Sequence, residues 1–316
     1  MRRAVLSTIC LVATLLASAS GAAGATGATT GRHRPAGGAF PVTVRSAAGS
    51  VRIPARPTRI LSLSASATEM LYAIGAGSQV VGVDKYSTWP PDAPRTSFTG
   101  YESSAEGYLP LHPDLVVLAF DEHHLVAQLR ALHVPTLLLP PVSTIRAAEE
   151  QVTELGAATG HRVGAVSTDS RINDDLSSAV ASARGRGRGA TYYVEIDPTY
   201  YSATSRTFVG ALFSRFGMRD IADAAAKASS GYPQLSAEYV LSANPDYVFL
   251  ADTICCGVSA KSFAARPGFS NLAAVRLGHV IAVNDSVAQE WGPHSLEGFV
   301  TVLADVLDGR KPPAAR

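Results

Sequence analysis

The sequence predicts an α/β protein built as two similar lobes facing each other across a cleft, and three observations predict it. First, one line of sequence is written twice. Ala105-Glu106, Leu109, Pro113-Asp114, Val116, Leu118 and Ala119 recur at the same offsets as Ala237-Glu238, Leu241, Pro245-Asp246, Val248, Leu250 and Ala251, 132 residues later. A Gly-Tyr pair, Gly100-Tyr101 and Gly231-Tyr232, precedes each copy. That period is the size of a domain, far beyond the roughly 20–50 residues of a solenoid repeat. Second, short apolar strands alternate with helical patterns, the order that yields parallel sheets. Third, an apolar pattern at helical spacing runs from Val163 to Ala183, between the two copies. Two lobes enclosing a gap make a concave surface suited to a ligand.

The elements follow in order. Met1-Arg2-Arg3, the apolar stretch Ala4 to Ala17 and the small residues ending at Ala23-Gly24-Ala25 read as a secretory signal peptide over residues 1–25. Its apolar part is shorter than the roughly 20 residues a membrane span needs. Residues 26–39, rich in Gly, Ala and Thr, read as a disordered leader. The N-terminal lobe, residues 40–160, opens with a hairpin of Pro41–Val44 and Val51–Pro54. A buried strand, Arg59–Leu63, then leads into a helix over Ala67–Ile74, with Ser66 and Glu69 at the spacing of a capping box. Strands at Val80–Val83, Leu115–Leu118 and Thr136–Leu139 alternate with helices at Glu122–Leu132 and Ile145–Ala158. The connecting segment, residues 161–186, places Val163, Val166, Ile172, Leu176, Val180 and Ala183 on one helical face. It is either a long surface helix or a rod of about 33 Å joining the lobes. The C-terminal lobe, residues 187–311, carries strands at Ala190–Ile196, Tyr247–Leu250 and Val280–Val283 and helices at Thr207–Phe216 and Leu296–Leu307.

Composition narrows the function. The 316 residues are 47% hydrophobic, with Lys+Arg 27 against Asp+Glu 26. This allows two cores and supplies none of the basic excess that nucleic acid requires; the Arg184–Gly189 alternation reads as a solvated linker. Cys10 falls in the signal peptide, which leaves the adjacent Cys255 and Cys256 in an oxidising compartment. Neighbouring Cα atoms lie about 3.8 Å apart, short of the roughly 4.4 Å minimum of ordinary disulfides. Two buried thiols, a vicinal disulfide and a link between chains all stay open, with the vicinal disulfide favoured.

The chain has no G-x-S-x-G, no P-loop and no H-E-x-x-H, so the common hydrolase and nucleotide signatures are absent. The adjacent His123 and His124 lack the spacing of a metal pair on a helix, and no metal site is expected. Asp174-Asp175 reads as a solvated helix face, and Asp285 with His294 is the only titratable pair to offer an enzyme. A binder is therefore favoured. Aromatics gather where loops should leave the strand carboxyl ends, the ligand-facing edge of open α/β sheets. The expected ligand contacts are Ser64, Ser66, Tyr86, Trp89, Tyr101, Tyr201, Tyr232, Trp291 and His294. Tyr and Trp offer flat, rigid contact area with a polar tip.

A resemblance adds to this reading. Arg59-Ile-Leu-Ser-Leu-Ser-Ala-Ser-Ala-Thr-Glu-Met-Leu-Tyr-Ala-Ile-Gly75, Val80-Val-Gly-Val-Asp84, Tyr86-Ser87, Pro90, His112-Pro-Asp-Leu-Val116, Tyr232-Pro-Gln-Leu-Ser-Ala-Glu238 and Asn244-Pro-Asp246 resemble the cobalamin and ferric-siderophore class of ABC-transporter solute-binding proteins. The likeness spans nearly all the mature chain. It implies two Rossmann-like lobes joined by a single long α-helix, a ligand cleft between them and a stiff hinge. It also implies that an acidic residue on each lobe, here Glu106 and Glu238, docks an arginine pocket on the permease. Cobalamin-binding relatives place aromatics at the positions of Tyr86 and Tyr232. Many siderophore binders carry an arginine after Gly-Pro in the last cleft loop, whereas this chain reads Gly292-Pro293-His294; Arg206 and Lys261 are the candidates to replace it. Lipid-anchored relatives end the signal peptide on a cysteine, and Cys10 lies too early for that.

The expectation is an exported monomer, periplasmic or at the cell surface and without an evident lipobox. It needs no cofactor of its own, captures an iron-siderophore or cobalamin-type ligand and hands it to an ABC permease and its ATPase. The alternative is an exported enzyme or surface adhesion module on the same frame.

Overall fold

A hairpin of β1 (Val42–Ser46) and β2 (Gly49–Ile53) precedes two four-stranded parallel sheets of the same topology. The computed structural model describes residues 40–225, 231–286 and 290–312; the expected signal peptide and leader lie outside them. The first sheet contains β3 (Ile60–Leu63), β4 (Val80–Val83), β5 (Leu115–Leu118) and β6 (Thr136–Leu138) in the order β4-β3-β5-β6. The second contains β7 (Thr191–Glu195), β8 (Arg219–Asp220), β9 (Tyr247–Leu250) and β10 (Val280–Ala282) in the order β8-β7-β9-β10. Each lobe is therefore an α/β unit of the Rossmann-like kind.

The repeated line of sequence does the same job in both lobes. Asp114 accepts hydrogen bonds from the Thr58 and Arg59 amides at 2.8 and 2.9 Å, and Asp246 accepts one from the Thr191 amide at 2.7 Å. Arg59 to Asp114 and Thr191 to Asp246 are each 55 residues apart. The Pro-Asp of each copy thus pins the repeat strand to the first strand of its lobe. The helical segment before each Pro-Asp ends on a left-handed residue, His112 (φ 44°) and Asn244 (φ 45°). One difference follows from a single residue. Residues 105–111 form a 3₁₀ helix whereas 237–243 are α-helical, because Pro110 has no N–H to continue an α ladder and its counterpart Ser242 does.

Both sheet faces are apolar, as buried parallel strands require. Ile60, Leu115 and Val117 of β3 and β5, with Tyr192, Val194 and Phe249 of β7 and β9, face one continuous core. The alternate residues face two outer cores: Leu61, Val116 and Leu118 in the first lobe, Tyr193, Val248 and Leu250 in the second. Helices α1 (Ala65–Ala73) and α3 (Ile145–Thr159) contribute to the central core in the first lobe, and α2 (Leu125–Ala131) covers the outer face. In the second lobe α5 (Phe208–Arg215) and α9 (Pro293–Leu307) lie centrally, while α6 (Ala237–Ala243), α7 (Ala260–Ala264) and α8 (Ala273–Arg276) lie outside. The two-residue β8 and the short α7 and α8 carry too little periodicity to be read from sequence.

The long helix is present. It is α4 (Arg162–Ser182), 21 residues packed against both α3 and α9, so it joins the lobes. Its inward face differs from the expected one. Ala165, Thr168, Ile172 and Leu176 are buried, whereas Val163 and Val166 are exposed. Gly164 explains the offset: a Cβ there would collide with the Ile74 carbonyl, so the helix approaches the end of α1 along its small residues. Thr168 Oγ1 then donates to the Ala73 carbonyl at 3.1 Å. Asp174 and Asp175 are solvent-exposed, as expected.

Three helix starts are also corrected. Ser64, not Ser66, caps α1, its hydroxyl accepting from the Ala67 amide at 3.2 Å. The helix foreseen at Glu122 becomes α-helical only at Leu125, because His123 and His124 are left-handed. The closing helix starts at Pro293, where a missing N–H costs nothing. Among the described residues no helix is long and apolar enough to cross a membrane.

Candidate functional site

Strand β4 is followed directly by Asp84, whose buried carboxylate accepts the Ser87 amide at 2.7 Å. Burial pushes the Asp84 carboxyl up, and the Ser87 bonds only partly offset that. Thr68 Oγ1 lies 2.9 Å from Ser62 Oγ, the Ser64 carbonyl and Ser87 Oγ, so a buried hydroxyl cluster clamps the loop to β3 and α1. The clamp throws Tyr86 outward, 50% exposed, with Lys85 Nζ 4.9 Å over its ring. Trp89, 42% exposed, stacks on His294 with ring centroids 3.8 Å apart and planes 8° from parallel. Tyr101 is exposed and stacks on Phe120 at 5.7 Å. Glu102 steadies its turn by accepting the Thr99 amide at 2.6 Å and the Tyr108 hydroxyl at 2.7 Å.

The second lobe presents Tyr201 and Tyr232, both exposed, on segments tied by Ser202 N–H to the Pro233 carbonyl and Leu235 N–H to the Tyr200 carbonyl, 3.0 Å each. At the carboxyl ends of β7 and β9 lies a charged cluster that sequence reasoning missed. Buried Glu195 accepts two guanidinium N–H bonds from Arg266 at 2.6 Å and the Tyr193 hydroxyl at 3.2 Å. Arg266 also sits 5.3 Å over the Tyr200 ring and 4.9 Å over Phe263. Asp252 is fully buried beside them; burial and the Glu195 charge push its carboxyl up to about 7. The only hint in the sequence is an acid closing each apolar strand run.

Cys255 and Cys256 are joined as a vicinal disulfide on an exposed loop, which removes the buried-thiol alternative. Asp285 accepts the amides of Thr253, Ile254 and Cys255 at 2.8, 3.0 and 2.7 Å. It is thereby committed to holding this loop, while His294 is stacked on Trp89, so the two do not form an acid–base pair. Among the described residues no cluster of His, Cys, Asp or Glu is arranged to hold a metal.

The lobes meet at the start of α9. Trp291, 8% exposed, donates its backbone N–H to Ser66 Oγ at 3.1 Å and its indole N–H to Gln151 Oε1 at 2.7 Å. Glu69 of α1 accepts both the Ser295 amide at 2.9 Å and the Ser295 hydroxyl at 2.5 Å. Three expected ligand contacts, Ser64, Ser66 and Trp291, are therefore buried with their polar groups already bonded within the protein, and they build the wall rather than line it. Tyr86, Trp89, Tyr101, Tyr201, Tyr232 and His294 remain on loops beyond strand ends or at the start of α9.

Glu106 and Glu238 are both solvent-exposed, each in the first turn of a helix capped by a serine, Ser104 or Ser236. Its own amide and the Ser236 hydroxyl hold the Glu238 carboxyl below its usual range. Neither glutamate forms an ion pair among the described residues.

The family model described as periplasmic binding protein matches residues 60–287. The chain belongs to that family. Its members are binding proteins rather than enzymes. The chain is 27% identical over 279 residues to an uncharacterised ABC transporter substrate-binding lipoprotein, YvrC, of Bacillus subtilis, covering 85% of this chain and 86% of that one. It is 29% identical over 273 residues to a cobalamin-binding protein of Halobacterium salinarum, covering 82% and 72%. The fold superposes on the periplasmic heme-binding protein RhuT of Roseiflexus with a TM-score of 0.70 at 24% identity, covering 80% of this chain and 98% of that one.

Proposed function

We propose that this protein is the exported substrate-capture component of an ABC importer. It takes a bulky, partly flat metal chelate, a corrinoid, haem or ferric siderophore, between aromatic loops of its two lobes. The observation that carries this reading is the set of exposed rings, Tyr86, Trp89, Tyr101, Tyr201 and Tyr232, on loops of both duplicated lobes. Exposed aromatic area on a rigid frame recognises flat, apolar-faced ligands by stacking. The continuous core through α4 supports a stiff frame. The names of the relatives, a cobalamin-binding protein and a heme-binding protein, support the ligand class. Glu106 and Glu238, one on each lobe and without an ion pair among the described residues, are the contacts proposed for the permease; charge complementarity would set orientation and encounter rate.

The test uses the mature chain. It is titrated with cyanocobalamin, haemin and a ferric hydroxamate while tryptophan emission is followed. At least one should quench emission saturably, and Trp89→Phe should remove most of that quench because the buried Trp291 is shielded. No saturable response to any of the three would overturn the reading.

A further inference from the structure

We propose that Glu69 and Glu290 form a shared-proton carboxyl pair that latches the two lobes and positions the start of α9, with His294, at the ligand cleft. This deepens the binding function above and rests on it.

The argument begins with a helix that cannot cap itself. The N-cap of α9 is Gly292, which has no side chain, and no side-chain cap bond comes from its own segment. The cap comes from the other lobe. The Glu69 carboxylate takes the Ser295 amide and hydroxyl together, 226 residues away in sequence, and lies at the positive end of a 15-residue helix. Gly292 is glycine for this reason: a Cβ there would fall on the Glu69 carboxylate.

Glu290, two residues before Gly292, brings a second carboxyl to the same point. Its Oε2 lies 3.3 Å from Ser295 Oγ, the same oxygen that lies 2.5 Å from Glu69 Oε1, so one hydroxyl stands between the two carboxyls. No Lys or Arg forms an ion pair with either acid among the described residues. The titratable groups facing Glu290 are Glu69 from α1 and Asp84 from the end of β4, with His294 following on α9 and held against Trp89. A hydroxyl has one proton to donate, so two carboxyls bonded to the same oxygen without a cation hold an added proton between them, since both cannot ionise cheaply side by side. Burial and the Glu69 charge push the Glu290 carboxyl up to about 9. Below that pH the proton bridges the lobes. As pH rises through it, a second negative charge appears beside the first, and the pair repels where it had bonded. The stacked His294 and the bonds of Trp291 stand on the same segment, so they loosen with it.

Two measurements test this. In the ligand-free protein, tryptophan emission and thermal midpoint are followed from pH 6 to pH 10. A step centred near pH 9 is expected in the parent, and Glu290→Gln, which keeps a donor but does not titrate, should remove it. In the second measurement, affinity for whichever of cyanocobalamin, haemin or the ferric hydroxamate binds is compared at pH 7 and pH 10. The parent should weaken at least tenfold at pH 10. Glu290→Gln should stay within threefold of the parent at pH 7 and weaken less than threefold at pH 10. Glu69→Gln, which removes the carboxylate cap, should weaken binding at least tenfold at both. If Glu290→Gln keeps the alkaline step, or if the parent has none, the latch is overturned. If the ligand-free step appears and vanishes as expected but none of the three compounds binds, the latch stands and the ligand reading falls.

Discussion

Removing the indole donor of Trp291 should cost a measurable part of the stability of the lobe–lobe contact. In Trp291→Phe the Gln151 Oε1, in a side chain 9% exposed and bonded among the described residues only to that indole at 2.7 Å, is left without a donor. An orphaned buried acceptor costs about 1–3 kcal/mol, and the smaller ring adds a packing loss of about 1–2 kcal/mol. At about 2.1 cal/mol/K of unfolding entropy per residue over a compact unit of about 280 residues, a total of about 2–5 kcal/mol lowers the melting temperature by about 3–8 °C. The bond itself is isolated by a double-mutant cycle with Gln151→Met. The loss of the Gln151 amide bond to the Pro140 carbonyl at 2.8 Å occurs in both Gln151 variants and cancels. Replacing both partners by apolar groups should therefore cost about 1–2 kcal/mol less than the two single changes summed, read by urea denaturation of the mature protein. Additivity within about 0.5 kcal/mol would refute the reasoning and leave Trp291 as mere packing.

Three further outcomes are expected. Glu106→Ala combined with Glu238→Ala should abolish uptake by cells while leaving ligand affinity within about twofold; an equal fall in affinity would remove the docking role. Tyr86→Ala and Trp89→Ala should each weaken ligand binding about tenfold or more, as single stacked aromatics contribute on the order of 1–2 kcal/mol, with melting temperatures shifted by no more than about 2 °C because both rings are half exposed. Asp252, raised to about 7 from an unfolded value of about 3.9, binds more protons in the folded state between those values. The folded state therefore loses stability as pH climbs from about 4 to about 7 and levels off above. Asp252→Asn should flatten that slope in melting temperature against pH, and an unchanged slope would show that another group carries it.

Much of the frame was legible because its signals are local. Short continuous apolar strands, the 3.6-period stripe of α3 and the doubled Pro-Asp each declare themselves within a few residues. The exposed aromatics of the site were legible too, since a ring on a loop between strand and helix has little core to fill. Ser66 and Trp291 went the other way for a definite reason. Their sequence neighbourhood matches a ligand loop, yet the two bond to each other and Gln151 of α3 takes the Trp291 indole, and nothing near either residue announces that. Val163 and Val166 were assigned inward because apolar spacing fits two adjacent faces of a helix, and only the approach of Gly164 to Ile74 selects between them. One signal for the interlobe cap was available: Gly292-Pro293 opens an apolar helix with no Ser, Thr, Asp or Asn to cap it, so its cap had to come from elsewhere.

By itself, then, the sequence determined a duplicated α/β frame, the order of its strands and helices, and the loops on which rings are displayed. Those features depend on backbone geometry and on residues a few positions apart. Only the tertiary structure decided which groups meet across the lobes: Glu69 with Ser295 and Glu290, Trp291 with Gln151, Trp89 with His294. Such pairs join residues one hundred to over two hundred positions apart. Their existence depends on how two sheets and a connecting helix pack against one another, a relation that no short window of sequence contains.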